Sequence, residues 1–207
     1  MTAGRVIRSF ATPGGVPVDL AWDGRHLWLV DSSTDLIYQI DVATGQVLHS
    51  IAAPQTDTWG LAWDGVHLWG AELISGLLNC IDPVTGRVIR SLVSPSNTPL
   101  GMAWDGRALW VGQYVGSILY QVDPITGRVL RSLSGPGLSM AGVTWDGRTL
   151  WICDFATDLI YQLDPISGQA IRSFSTPAGN PRGLTWDGRT LWHGDVATDL
   201  IYQLAID

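Results

Sequence analysis

The sequence predicts an all-β fold, a five-bladed β-propeller with four antiparallel strands in each blade. Three observations predict it. Trp-Asp-Gly begins at Trp22, Trp63, Trp104, Trp145 and Trp186, a step of 41 residues each time. Leu-Trp ends at Trp28, Trp69, Trp110, Trp151 and Trp192, and Pro13, Pro54, Pro95, Pro136 and Pro177 keep the same step. Each unit holds four short runs of β-branched and aromatic residues, separated by Gly, Pro, Asp and Thr, with no competing helical period. Five such units fill nearly all of the 207 residues, and a four-strand repeat of about 40 residues is a propeller blade.

The elements follow in order. In the first full unit, residues 18–22 predict an inner strand, which Asp23-Gly24 ends as a tight hairpin turn. Residues 27–30 predict the second strand. Residues 31–35 form a loop, and residues 36–40 the third strand. A turn through Asp41 and Gly45 leads to the fourth strand, residues 46–51. The units begin near residues 14, 55, 96, 137 and 178. Residues 4–10 read Gly-Arg-Val-Ile-Arg-Ser-Phe and match residues 86–92, so 4–11 is an isolated fourth strand. The last unit stops after its third strand. The N-terminal strand is therefore expected to complete the last blade and close one domain spanning 1–207, which removes the open edge of an array of sheets.

Composition narrows the function classes. Apolar residues are 46% and charged residues 15%, which supports a packed core and excludes disorder. The formal charge is −7, and all 12 basic residues are Arg. No nucleic-acid or anionic-membrane partner is expected, since nothing basic is left over to neutralise phosphates. Two Cys are too few for a disulfide framework. No apolar run reaches the length of a membrane span. The N-terminus has no signal-peptide pattern, so a cytoplasmic monomer is expected if the chain is complete.

The consensus W-D-G-R-x-L-W-x-x-D…I-Y-Q-I-D-P-x-T-G-R-V-x-R-S resembles the blades of bacterial propellers of the virginiamycin B lyase, NHL and quinoprotein-like group. Five-bladed plant-type glutaminyl cyclases share the I-D-x-x-T-G-x-V segment. The resemblance spans the whole chain and implies the fold. No Phe-x-Gln-Gly-Leu-Glu segment of the cyclases is present, and Glu72 is the only Glu, so no cyclase site is carried over. The lyases' catalytic His and Glu have no matching positions either. Propellers host many unrelated activities.

Comparing the five units separates scaffold from variable positions. The Trp-Asp-Gly and Asp-Pro-x-Thr/Ser-Gly turns are nearly invariant and belong on one face, where their Asp residues satisfy turn backbone. The loops between strands two and three, and between blades, diverge on the other face. That divergence is either ligand recognition on a rigid scaffold or drift where packing does not constrain.

Two candidate sites lie on the variable face. The first is the Asp-x-x-Thr-Asp loop, at Asp31 to Asp35, Asp154 to Asp158 and Asp195 to Asp199, with Glu72 and Gln113 in the other blades. Asp31, Glu72, Asp154 and Asp195 could ring the channel and hold calcium or magnesium through oxygen ligands. The alternative is that each Asp caps its own loop. The second site is aromatic. Trp59, the one Trp outside the two repeated sets, is expected in the connection between blades one and two. Leu73, Ile74, Tyr114 and Phe155 occupy loop positions where other blades have small or polar residues, and Arg182 is the basic residue of the blade connections. Aromatic rings with Arg and carboxylates suit a sugar or small polar ligand; packing of Trp59 against the next blade is the alternative.

His193 follows Trp192 where other blades carry Leu29, Gly70, Val111 and Ile152. It is either a general base or a structural His. His26, His49 and His67 are expected on the solvated surface, and Cys80 and Cys153 as separate buried thiols. Two further readings stand beside a lectin-like module binding a sugar, peptide or protein: a lyase- or cyclase-type enzyme, and an amplified or engineered repeat scaffold with no selected ligand. No tightly bound cofactor is expected beyond the possible cation.

Overall fold

The computed structural model describes residues 4–137 and 139–206. Residues 1–3 and 207 of the expected domain, and Leu138 in a blade connection, lie outside them. The described residues form 20 strands in five four-stranded antiparallel sheets, with no helix. The first blade is β2 (Pro17–Trp22), β3 (Leu27–Asp31), β4 (Leu36–Ile40) and β5 (Val47–Ala52), paired in that order. The expected boundaries hold within a residue. The fifth blade is closed by β1 (Val6–Ala11), which pairs with β20 (Leu200–Leu204) from Val6↔Leu204 to Ala11↔Leu200.

The inner strands are β2, β6 (Thr58–Trp63), β10 (Pro99–Trp104), β14 (Met140–Trp145) and β18 (Pro181–Trp186), and each packs on its neighbours around the axis. The core is divided among the five blade interfaces. Trp28 packs with Leu61, Leu68 and Ile81 of the second blade, and Trp69 with Met102, Leu109 and Val111 of the third. Trp110, Trp151 and Trp192 repeat this at the remaining interfaces. All five indoles are buried. Each therefore contributes several kcal/mol of apolar burial, about 25 cal/mol for each Å² removed from water.

The same five Trp explain the spacing of the repeat. Each indole Nε1–H donates to the Asp five residues earlier, at 2.8–3.0 Å, from Trp28 to Asp23 through Trp192 to Asp187. Outside, Arg8, Arg90, Arg131 and Arg172 stack over Trp192, Trp69, Trp110 and Trp151 with guanidinium carbons 4.9–5.2 Å from the ring centres. These outer-strand Arg residues thus cover indole faces. In the first blade His49 takes that place edge-on to Trp28, so it is part of the packing and not simply solvated.

One local expectation is corrected. Asp23-Gly24 is not a two-residue hairpin turn. Trp22 pairs with Leu27, leaving residues 23–26 as the connection, closed by Asp23 N–H to His26 O. The Asp23 carboxylate holds it: Oδ1 accepts the N–H groups of Arg25 and His26, and Oδ2 accepts the Trp28 indole. A wider turn wins because the side chain supplies the acceptors that tight-turn backbone pairing would otherwise provide.

Candidate functional site

At the axis the inner strands run backbone against backbone. Gly60, Gly101, Gly142 and Gly183 occupy the closest approach. A Cβ on Gly60 would collide with Leu100 O, one on Gly101 with Ala141 O, and one on Gly142 with Arg182 O. The first blade alone carries a side chain there, Asp19, which is fully buried. Its Oδ1 accepts the N–H groups of Leu20 (2.9 Å) and Leu184 (3.3 Å). Its Oδ2 accepts those of Leu61 (2.8 Å) and Met102 (3.3 Å). Burial pushes this carboxyl well above the usual range, against four N–H donors that favour the charged form. Toward the Trp-Asp-Gly face lies a cavity of about 80 Å³, walled by Leu20, Leu61, Met102 and the residues that follow them. Asp19 is thus an axial plug.

The acidic loops cap themselves. Asp31 Oδ1 accepts from Ser33 N, Ser33 Oγ and Thr34 N, and Oδ2 from Val16 N. Asp154 does the same for Ala156, Thr157 and Ser139, and Asp195 for Ala197, Thr198 and Asn180. Asp35, Asp158 and Asp199 adopt left-handed backbone, with φ of 54–55°. That conformation suits Asp better than most residues, which accounts for the last Asp of each motif. Glu72 is longer and turns inward instead, accepting from Thr58 Oγ1 (2.7 Å) and Asn79 Nδ2 (2.9 Å). Burial raises its pKa against those bonds. Its loop is capped by Asp57.

No three of Asp31, Glu72, Asp154 and Asp195 bring ligand atoms within 4.8 Å of one another. Among the described residues, the His, Cys, Asp and Glu side chains close enough to share an ion are Asp64, His67 and Cys80, near the opposite face.

His193 is fully buried on β19 (Leu191–Asp195) and stacks on Tyr202, ring centres 6.3 Å apart. Its Nδ1 lies 3.1 Å from Gly183 O, so the neutral ring donates there. Nε2 is 4.0 Å from Asp195 Oδ2 and makes no hydrogen bond. Burial lowers its pKa to about 4, opposed by Asp195 and the Gly183 carbonyl. It is a neutral core His near neutral pH, out of contact with solvent.

The aromatic residues do come together. Trp59 and Arg182 sit on the inner strands β6 and β18, not in the connections. The ladder shifts register there, between Thr58 and Gly60 and between Pro181 and Leu184. Such irregularities re-aim a side chain. The Arg182 guanidinium carbon is 4.3 Å from the Phe155 ring centre in the neighbouring fourth blade and 5.6 Å from that of Trp59 in the second. The second and fifth blades are not neighbours, so this contact spans the axis. Tyr114 and Leu73 pack in the same partly buried cluster as Trp59 and Phe155, over Leu100 and Ala141. Arg182 Nη1 is buried with no hydrogen-bond partner. Thr98 Oγ1 and Asn180 Oδ1, which share one repeat position two residues before that of Arg182, are orphaned likewise, as are Ser117 Oγ and Asp158 Oδ1 in the adjoining loops. A groove of about 640 Å³ beside the closing strand, lined by Arg5, Ile7, Arg189 and Gln203 among others, holds none of these atoms.

No family model matches the sequence, and no curated protein matches it. The fold has solved counterparts. The glutaminyl cyclase of Myxococcus xanthus superposes with a TM-score of 0.82 over 98% of this chain and 95% of its own, at 12% identity. A chain of a mitotic checkpoint complex superposes with a TM-score of 0.58 over 94% of this chain and 65% of its own, at 17% identity. Both are likenesses of fold.

Proposed function

We propose that the mouth of the variable face, centred on Arg182, Trp59, Phe155 and Tyr114, binds a small oxygen-rich ligand such as a sugar or a short peptide. One observation carries this reading: a guanidinium lies between two aromatic rings from different blades, with Nη1 buried and unpartnered. A buried donor without an acceptor costs about 1–3 kcal/mol. A ligand carboxylate, carbonyl or hydroxyl would recover it, while Trp59 and Tyr114 offer faces for stacking. Asp35, Asp158 and Asp199 stand in the surrounding loops and would bias the site against highly anionic ligands.

A thermal-shift screen with neutral sugars, uronic acids and short peptides tests the reading, followed by calorimetry on Arg182→Ala and Trp59→Ala. A ligand at 100 times its Kd stabilises the folded ring by about 2.7 kcal/mol. Binding that weakens at least tenfold in both variants supports the site. No shift from any compound, or equal binding by Arg182→Ala, overturns it.

The enzyme reading draws on the likeness to the M. xanthus cyclase. Incubation with a glutaminyl peptide, followed by mass spectrometry for cyclisation, tests it directly. His193 and Glu72 are both buried and engaged within the fold, which favours binding over that chemistry.

A further inference from the structure

We propose that Asp64, His67 and Cys80 form a site for one thiophilic divalent transition-metal ion, such as zinc or cobalt. The site belongs to the second blade near the Trp-Asp-Gly face, away from the mouth. Asp64 and His67 flank the turn between β6 and β7 (Leu68–Glu72), and Cys80 lies on β8 (Leu77–Ile81), paired with Trp69. One ligand atom from each side chain lies within 4.8 Å of the others, and His67 Nδ1 is 3.5 Å from Asp64 Oδ2.

The other blades show what this position attracts. In the first blade the residue matching Cys80 is Gln39. Its Nε2 donates to Asp23 Oδ2 at 3.1 Å and stands 3.3 Å from His26 Nδ1. The carboxylate oxygen and the ring nitrogen thus face a common point, which the amide nitrogen fills. The third, fourth and fifth blades keep the Gln, as Gln121, Gln162 and Gln203, with Ala108, Thr149 or Thr190 in place of His. There the amide still donates to the turn, to Asp105, Thr149 and Thr190. Only the second blade combines the His with a Cys. Cys80 is shorter than Gln and has no comparable donor. The point that the amide occupies in the first blade is left facing a carboxylate oxygen, an imidazole nitrogen and a sulfur.

That donor set is what zinc selects, at about 2.0–2.1 Å for N and O and about 2.3 Å for S. The ligand atoms must draw in from their present spacing. His67, partly exposed, can swing to allow it and gives the ion a path from solvent. The Asp64 ligand is already oriented: Oδ1 accepts the N–H groups of Val66 and His67, and Oδ2 the Trp69 indole. Asp82 adds negative charge within reach of His67. Burial pushes the Cys80 thiol up and the Asp64 carboxylate adds to that; Arg90, which opposes the ion, bonds to the sulfur and acts against the rise. Binding replaces the thiol proton by the metal and releases that proton to solvent, with a water completing four coordination.

Cobalt titration of the full chain, stripped with EDTA, tests this. The expected result is a thiolate-to-cobalt charge-transfer band saturating at about one equivalent, with zinc displacing cobalt and raising Tm. Cys80→Gln installs the residue of the other four blades and should fold; it is expected to lose the band and the zinc-induced shift. His67→Ala, at a partly exposed position, is expected to weaken cobalt binding at least tenfold. No band in the unaltered protein, or an unchanged band in Cys80→Gln, overturns the proposal.

Discussion

Asp19 Oδ2 accepts the backbone N–H of Leu61 at 2.8 Å, a bond that passes from the first blade to the second at the centre of the ring. Together with the bonds from Met102 and Leu184, it ties three other blades to one carboxylate. Asp19 therefore acts as an internal acceptor for donors that glycine-lined strands leave facing one another.

Restoring the repeat should accordingly harm the protein. Asp19→Gly matches the other four blades, yet it strips acceptors from buried N–H groups, each costing about 1–3 kcal/mol if left unsatisfied. A loss of about 3 kcal/mol or more in urea unfolding is expected, with Asp19→Asn intermediate. A change under about 1 kcal/mol would mean that water replaces the carboxylate freely.

His193 sets a second dependence. Its pKa is about 4 in the fold and about 6.5 in an unfolded chain. The folded state resists protonation, so the stability tied to this neutral ring is present above pH 6.5 and is lost as pH falls through that value toward 4. The loss is about 3 kcal/mol. His193→Leu, the residue that the first blade carries at Leu29, should remove that part of the slope. Urea midpoints at pH 7 and pH 4 for both proteins check this; parallel slopes would show that His193 is not the group responsible.

The Trp-Asp-Gly turns respond in the same direction but from carboxylates. Partial burial acts to raise Asp23, Asp64, Asp146 and Asp187, yet their N–H, hydroxyl, amide and indole donors outweigh it and hold them below the usual range. Their contribution is present above the unfolded carboxylate pKa and disappears as pH falls through the folded values. Asp187→Ala at neutral pH removes the acceptor of Arg189 N, Thr190 N, Thr190 Oγ1 and Trp192 Nε1. A cost of about 2–3 kcal/mol is expected, or roughly 5–10 °C in Tm for a chain of this size. A scan showing less than about 2 °C would place the work of the motif in the indole packing alone.

Two glycine substitutions separate close approach from chance composition. Gly60→Ala drives a methyl into Leu100 O, Ala71 and Met102. Backbone cannot yield there without opening the axis, so little folded protein is expected by circular dichroism. Gly15→Ala meets only Ser33 Oγ at 3.8 Å. It should leave Tm within about 2 °C, consistent with surface changes of about 0.5 kcal/mol or less.

The architecture was legible because it is written five times. The step from Trp22 to Trp186 fixed the blades, and the match of residues 4–10 to 86–92 fixed the closing strand. The site was legible only where a residue broke the repeat. Trp59 and Arg182 stood out as exceptions, although their place on inner strands, and their meeting across the axis, depends on ring geometry that no linear spacing carries. Asp19 broke an otherwise glycine column, and that signal was available. Its meaning was not, because sequence alone does not reveal that the column lines the axis. Asp31, Asp154 and Asp195 left two readings open, a ligand set or a cap for each loop. A recurring acidic motif looks like a ligand set, but hydroxyls and N–H groups two and three residues onward consume its lone pairs.

The pairing of β1 with β20 has a mechanical consequence. The strands run antiparallel, with Val6 opposite Leu204, so the two described ends of the chain leave the seam side by side. A force applied between them peels the backbone bonds one after another, from Val6 toward Ala11, and never loads them all at once. The circular molecule is thus a zipper whose slider is its own pair of ends. Tension there should open the ring at low force.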